Sequence, residues 1–168
     1  MKYNVMVGDL FDMDKEYTLA HCISSDFVMG GGIAKLFTNK GVKQTLMENE
    51  EVGKWEGHGY CLPCLMNDNG VEKSVINLVT KEKVYHKPTY DTLRDALEDM
   101  KDVLAGKDNV RLAMPAIGCG LDGLQWDKVQ NIIKDVFRDT NYEIDICILE
   151  REKDLFINNK KKAEELDK

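Results

Sequence analysis

The segment Ala113–Gly123, AMPAIGCGLDG, carries three glycines and one acid between two regular elements. The apolar run Val110–Met114 before it predicts a buried strand, and a helical pattern begins near Gln125. Glycines at such a junction let backbone amides approach a phosphate without obstruction by side chains. The acid, Asp122, adds nothing to anion binding, so we expect it to serve a hydroxyl group or a water molecule.

A second glycine cluster, Gly30–Gly32, leads directly into another helical pattern. One short glycine motif alone is more often a flexible turn than a phosphate site. Two clusters that each precede a helix favour a shared site, because a pair of helix N-termini suits a diphosphate. We therefore expect both glycine loops to line one crevice.

Lys81 follows the apolar strand Val75–Val79 through Thr80, so it emerges from the sheet. Its ordinary interpretation is a surface lysine. A lysine held partly desolvated at a strand end can instead have a lowered pKa and attack a sugar carbon. Glu82 would keep the Lys81 amine charged and less nucleophilic if the two paired.

The other candidate groups favour structural roles. Asp9 follows the first strand, where an Asx turn is common, although its carboxylate could also accept a hydrogen bond from an exocyclic amine such as that of adenine. Cys61 and Cys64 lie in a strand-like run without further ligands, which favours a core position over a zinc or redox site. The three histidines share no metal-ligand spacing, and Ser24 and Ser25 lack the context of a hydrolase triad. We predict no metal site and no cofactor.

Composition limits the class of protein. The 168 residues suffice for one domain with a sizeable core, and the net charge of −7 argues against general nucleic-acid binding. No apolar run is long enough to span a bilayer, and the N-terminus lacks the apolar region of a signal peptide. Five cysteines, an odd number, fit reduced thiols in a cytoplasmic protein better than a disulfide framework.

Strand patterns alternate with helical ones along the chain. The predicted strands are Lys2–Gly8, Tyr17–Ile23, Gly57–Leu65, Ser74–Val79, Val110–Met114 and Glu143–Leu149. Four helices are predicted. The first follows Gly32, the second spans Val42–Glu50, the third begins at a Thr89 cap and the fourth spans Trp126–Phe137. Asn67–Gly70 predicts a hairpin turn. This order predicts an α/β domain with a mixed sheet covered on both faces, which binds ligands at the carboxyl ends of its strands.

Five segments in the same order resemble the macrodomain family, and within it the branch of terminal ADP-ribose protein glycohydrolases. They are GDLFD (8–12), LAHCISSD (19–26), MGGGIAKLF (29–37), LVTKEKVYHKPTYDTL (78–93) and MPAIGCGLDGLQW (114–126). The resemblance covers the chain up to about Leu149. It divides the sequence into a macrodomain at 1–150 and a charged C-terminal helix or tail at 151–168.

The resemblance implies a macrodomain-like three-layer α/β/α sandwich with a mixed central sheet and a cleft for ADP-ribose. It implies that Asp9 holds the adenine amine, that Lys81 is the nucleophile and that Asp122 is the general base. The ligand-binding residues that it implies are Asp9, Leu10, Ser24, Gly30, Gly31, Gly32, Ile33, Ala34, Ala116, Ile117, Gly118, Cys119, Gly120, Leu121 and Leu149.

The implied function is removal of ADP-ribose from modified acidic side chains, with ADP-ribose or an ADP-ribosylated protein as partner. Three alternatives stay open: a phosphatase acting on ADP-ribose 1″-phosphate, removal of ADP-ribose from nucleobases, and a non-catalytic ADP-ribose reader. Many macrodomains carry asparagines at the end of the second strand, where this chain has His21–Ser25. Their absence argues for the lysine-using branch, and the presence of Lys81 and Asp122 argues against a pure reader.

Overall fold

The computed structural model describes residues 1–49 and 57–158. The strands are β1 (Lys2–Val7), β2 (Thr18–Ser24), β3 (Tyr60–Asp68), β4 (Val71–Lys81), β5 (Arg111–Met114) and β6 (Glu143–Ile148). The α-helices are α1 (Gly32–Asn39), α2 (Val42–Glu48), α3 (Tyr90–Leu104) and α4 (Trp126–Val136). Each predicted strand and helix is therefore present, with shifted ends.

The six strands form one mixed sheet in the order β1-β6-β5-β2-β4-β3. Every neighbouring pair is parallel except β3 and β4, which form an antiparallel hairpin. The carboxyl ends of β1, β2, β4, β5 and β6 consequently meet at one edge of the sheet. This edge is where loops from distant parts of the sequence come together.

Helices cover both faces of the sheet and bury two apolar cores. On one face, Leu97 and Met100 of α3 pack with Ile133 of α4. On the other face, Phe37 of α1 and Leu46 of α2 pack against the opposite side of the strands. Each fully buried side chain of this size contributes about 1.5–3 kcal/mol. The predicted three-layer α/β/α sandwich is confirmed.

The β3–β4 hairpin turns at Asn69 and Gly70, both of which have positive φ angles, 53° and 88°. Two such residues make the turn that matches the right-handed twist of paired strands. The Gly70 amide also donates to the Asn67 side chain at 2.8 Å. The predicted turn is confirmed, but pairing continues right up to it, so β3 ends at Asp68 rather than Leu65 and β4 begins at Val71 rather than Ser74.

The chain continues after β6 through a short 3-10 turn, Glu150–Glu152, and a π-helical turn, Asp154–Asn158. The Phe156 ring packs against Trp126 with 6.3 Å between the ring centroids. Of the C-terminal helix or tail predicted at 151–168, residues 159–168 lie outside the described residues, as does the end of the predicted second helix at Glu50. Within the described ranges, no helix combines the length and apolarity needed to cross a bilayer.

His21 lies fully buried in β2, stacked on Phe37 at 3.9 Å between ring centroids. Burial lowers the pKa of His21 to about 4, because the imidazolium would lose its hydration. As the pH falls below 6.5 towards 4, the unfolded chain binds a proton that the folded chain excludes. We therefore expect the free energy of unfolding to fall by about 1.4 kcal/mol per pH unit across this window from this residue alone.

Chemical denaturation at pH 7 and pH 5 measures this dependence. The matched variant is His21→Gln, which keeps a hydrogen-bonding group for Asn77 but does not titrate. Whatever its stability at pH 7, this variant should lose clearly less stability on acidification than the wild type. Equal losses in the two proteins would contradict the assignment.

Candidate active site

Three loops meet at the carboxyl edge of the sheet. We call residues 25–31, between β2 and α1, the glycine loop. Residues 82–89, between β4 and α3, form the lysine loop, and residues 115–125, between β5 and α4, form the aspartate loop. Because β2 lies between β4 and β5 in the sheet, these three loops leave adjacent strands.

Lys81 is the last residue of β4 and owes its position to an irregularity in the pairing of β2 with β4. Ile23 pairs with Val79, but Ser24 pairs with Lys81, so Thr80 is left out of the register. A bulge of this kind redirects the side chains that follow it. Lys81 was expected to follow the strand, but β4 continues through Thr80 and ends at Lys81 itself, which pairs with Ser24.

The Lys81 ammonium meets the Asp122 carboxylate of the aspartate loop, with 2.6 Å between Nζ and Oδ1. The two side chains are only 12% and 16% exposed, so the pair is largely removed from solvent. Glu82 is not the partner of Lys81: it is exposed, and its carbonyl accepts the Asp26 amide. An amine and a carboxylate thus share one hydrogen bond at the edge where parallel α/β sheets bind ligands.

The aspartate loop is folded by its own backbone. The Leu124 amide donates to the Gly118 carbonyl at 2.9 Å, and the Gly123 amide donates to the Gly120 carbonyl at 3.2 Å. Gly118 has a φ of +71°, a conformation that side chains disfavour. These bonds bend the loop so that Asp122 turns back towards Lys81.

The glycine loop and the aspartate loop approach each other closely. A Cβ atom at Gly31 would lie 3.5 Å from Cδ1 of Leu121. Gly31 is also the N-cap of α1, and no side chain in the described part of the protein caps the helix there. The first amides of α1 therefore keep free donors beside the aspartate loop, which is the arrangement that binds phosphate oxygens.

Asp26 connects the glycine loop to the lysine loop and was missed by sequence reasoning. Its carboxylate accepts hydrogen bonds from the Ser24 hydroxyl and the Val28 amide, and across the gap from the Val84 amide at 2.9 Å. Burial works to raise the pKa of Asp26, but these hydrogen bonds hold it below its usual range. The short-range signal was the Ser-x-Asp spacing, typical of side chains that bond nearby backbone.

The side chains expected to contact the nucleoside of the ligand differ in how exposed they are. Asp9 is exposed and accepts the Phe11 amide at 2.9 Å, which is the Asx role favoured by its position. The Leu10 side chain is only 3% exposed and packs in the core beneath α1. Leu149 is half-buried directly after β6, beside β1 in the sheet. Asp9 and Leu149 are therefore the accessible side chains at this end.

The thiols near the site are poor nucleophiles. Burial raises the pKa of Cys22, and the charge of Asp122 adds to this shift. Burial likewise raises the pKa of Cys119 to about 12. A thiol with so high a pKa forms very little thiolate at neutral pH.

Cys61 and Cys64 lie in β3, as the core interpretation predicts, and burial raises the pKa of both thiols. The described residues contain no group of three or more histidine, cysteine or acidic side chains placed to hold a metal ion.

Replacing Gly118 with alanine tests the shape of the aspartate loop. Alanine disfavours a φ of +71°, and its Cβ would lie 2.9 Å from Cδ1 of Leu124. We expect Gly118→Ala to lower the free energy of unfolding by about 1–3 kcal/mol in thermal or chemical denaturation. Gly120→Ala is the control, because Gly120 has no neighbour within 4 Å of such a Cβ and no positive φ. Equal losses in both variants would contradict this description of the loop.

Comparison with known proteins agrees with the fold. The family model described as Macro domain matches residues 20–133. The human protein named ADP-ribose glycohydrolase OARD1 is 40% identical over 144 residues, which cover 84% of this chain and 88% of the human protein.

Two solved structures share the architecture. The macrodomain of Mycobacterium tuberculosis DarG superposes with a TM-score of 0.73 at 22% identity, covering 88% of this chain and 96% of that one. DarTG of Thermosipho africanus, solved in complex with ADP-ribose, gives a TM-score of 0.71 at 18% identity, covering 89% of this chain and 42% of the other. The family match spans more than half of the sequence and the structural likeness nearly all of it, and so the chain belongs to the Macro domain family.

Proposed function

We propose that this protein is an ADP-ribose glycohydrolase that releases ADP-ribose from esters with acidic side chains of proteins. The observation that carries the proposal is the Lys81–Asp122 pair, which joins the end of β4 to the aspartate loop with 2.6 Å between Nζ and Oδ1. The 40% identity to the human protein named ADP-ribose glycohydrolase supports the same reaction class. A site that only held ADP-ribose would need neither a secluded amine nor a carboxylate beside it.

In this proposal the two loops grip the diphosphate through backbone amides. The α1 N-terminus at Gly31 and the amides of Gly120 and Leu121 in the aspartate loop supply the donors, since the Ile117 and Cys119 amides already donate within that loop. Asp9 accepts the exocyclic amine of adenine, and Leu149 lies against the nucleoside. Binding these remote groups fixes the distal ribose, so that its anomeric carbon is presented to Lys81 at little further entropic cost.

The covalent step begins with transfer of a proton from the Lys81 ammonium to Asp122. The neutral amine attacks the anomeric carbon of the distal ribose and forms a carbon–nitrogen bond. The bond between that carbon and the ester oxygen breaks, and its electron pair leaves with the carboxylate of the target protein. The product is a free acidic side chain and a ribosyl adduct on Lys81.

Water then resolves the adduct. Asp122 first releases to solvent the proton that it took from Lys81. It then accepts a proton from the attacking water as the water oxygen bonds to the anomeric carbon, and the carbon–nitrogen bond breaks. The Lys81 amine leaves with that electron pair and recovers a proton. The sum is hydrolysis of one ester into one acid and one molecule of ADP-ribose.

The test compares three substrates at equal concentration: a protein modified with ADP-ribose on acidic side chains, ADP-ribose 1″-phosphate, and an ADP-ribosylated oligonucleotide. We expect the wild-type protein to release ADP-ribose from the modified protein fastest, as measured by mass spectrometry of the products. Faster release of phosphate from ADP-ribose 1″-phosphate would identify a phosphatase. Faster turnover of the oligonucleotide would identify a nucleobase hydrolase, and binding without any turnover would identify a reader.

We also propose that the protein works in a reducing compartment such as the cytoplasm. All five cysteines are free thiols, and Cys61 and Cys147 are buried in the cores.

A substrate carried on another protein requires only an open cleft, which the exposed Gly30–Gly32 and Gly120–Leu121 provide.

A further inference from the structure

A second lysine contacts the aspartate loop next to the Lys81–Asp122 pair. The Lys87 ammonium donates a hydrogen bond to the carbonyl of Leu121, with 2.6 Å between Nζ and the oxygen. Lys81, directly before the lysine loop, and Lys87, within it, thus bind successive residues of the aspartate loop, Asp122 and Leu121. One contact reaches a side chain and the other reaches the backbone.

Lys87 extends from a turn that is already fixed. The His86 amide donates to the Lys83 carbonyl at 2.9 Å, and the Lys83 amide donates to Nδ1 of His86. The Val84 amide is held by Asp26, and Pro88 is buried. A side chain that begins on an ordered backbone loses less entropy when it makes a hydrogen bond.

Apart from its internal backbone bonds and the Lys81–Asp122 pair, the centre of the aspartate loop is exposed. Leu121 is 79% exposed, and glycines stand at 118, 120 and 123. Farther along, the Gln125 amide donates to the Tyr90 hydroxyl at 3.1 Å, which ties the end of the loop to the start of α3. Lys87 therefore adds a second contact from a lysine side chain to the middle of the loop, at the residue next to Asp122.

We propose that Lys87 is a positioning residue that holds the aspartate loop so that Asp122 faces Lys81. The inference rests on the proposed function, because it assigns Lys87 to the geometry of the proposed catalytic pair. Without this contact the glycine-rich loop visits conformations in which Asp122 leaves Lys81. Only the fraction of molecules with the pair assembled then turns over, so kcat falls, while the α1 N-terminus and Asp9, which lie outside this loop, still bind the substrate.

The test uses three variants of the full chain. Lys87→Met removes the donor but keeps the length of the side chain. Lys87→Arg keeps a charged donor that can reach a carbonyl. Lys83→Met is the matched control, because Lys83 is an exposed lysine of the same loop and its removal makes the same change in charge. For each we measure kcat, KM, the melting temperature and hydrogen exchange at the amides of residues 120–123.

We expect Lys87→Met to lower kcat about tenfold, with KM within about twofold of wild type, which is the effect of losing about 1.4 kcal/mol of loop stabilisation. Exchange at residues 120–123 should quicken about tenfold, the melting temperature should not change, and Lys87→Arg should recover most of the lost kcat. Lys83→Met should match the wild type in every measurement.

Wild-type kcat and exchange in Lys87→Met would overturn the inference. A raised KM at unchanged kcat would also overturn it, because Lys87 would then bind substrate directly, and so would failure of Lys87→Arg to recover activity. Full activity of a Lys81→Met variant would overturn the proposed nucleophile instead, so the two failures are distinguishable.

Discussion

Replacing Lys81 with methionine should reduce kcat for ester hydrolysis by about a thousandfold or more, because the reaction loses its nucleophile. ADP-ribose affinity should stay within about threefold of wild type, since the binding contacts come from the backbone of the loops and from Asp9. Product release from a protein modified on acidic side chains measures the first quantity, and calorimetry with ADP-ribose measures the second.

Two further variants distinguish a role of Lys81 as the nucleophile from a role of its positive charge alone. Lys81→Arg preserves the positive charge and a partner for Asp122, but a guanidinium stays protonated and cannot attack carbon. It should therefore be as inactive as Lys81→Met. Lys83 is an exposed lysine two residues away, and the variant Lys83→Met should keep wild-type activity. Substantial turnover by Lys81→Arg would mean that position 81 acts only through its charge.

The second large effect is expected at Asp122. Asp122→Asn keeps the size of the side chain and an oxygen that accepts from the Lys81 ammonium, but an amide cannot take the proton. We expect kcat to fall about 100-fold to 10,000-fold, which is the range for loss of a general base. Single-turnover assays with quantification of released ADP-ribose measure the loss.

The control for this variant is Asp127→Asn. Asp127 is an exposed carboxylate in the first turn of α4, and its replacement makes the same change in charge. It should retain wild-type turnover. Since the proposal assigns Asp122 to resolution of the adduct, residual attack in Asp122→Asn should leave an ADP-ribosyl group on Lys81, detectable by peptide mass spectrometry. Wild-type kcat in Asp122→Asn would contradict the role of this carboxylate.

Local patterns were sufficient to predict most elements of the fold. The Thr89 cap was recognisable because threonine is a residue type that caps helices, and in the structure its hydroxyl accepts the Thr92 amide at the start of α3. The turn at Asn69–Gly70 was recognisable because these residue types tolerate positive φ. Strand ends were less predictable: β4 begins at Val71 and ends at Lys81, because pairing with β3 and β2 continues beyond the apolar run.

The pairing of Lys81 with Asp122 could not be read from spacing. The two residues lie 41 positions apart and approach because β4 and β5, which run parallel on either side of β2, end at the same edge of the sheet. The bulge at Thr80 that redirects Lys81 also depends on pairing with β2, which no local pattern specifies. Resemblance to a family singled out both residues, but the sequence itself left open whether Glu82 would take the place of Asp122.

The roles of Asp26 and Lys87 were hidden for a similar reason. Asp26 binds the Val84 amide 58 positions away, and Lys87 binds the Leu121 carbonyl 34 positions away. Both partners are backbone groups, which every residue type supplies, so no sequence motif identifies them. Conversely, Leu10 was expected at the ligand, and its side chain lies in the core because the short 3-10 turn Leu10–Asp12 folds it under α1.

A crystal structure of the protein bound to ADP-ribose examines the central claim most directly. The diphosphate should contact the amides of the glycine loop and the aspartate loop, and Nζ of Lys81 should lie about 3.5 Å from the anomeric carbon of the distal ribose. A diphosphate bound elsewhere, or a distal ribose directed away from both Lys81 and Asp122, would contradict the account.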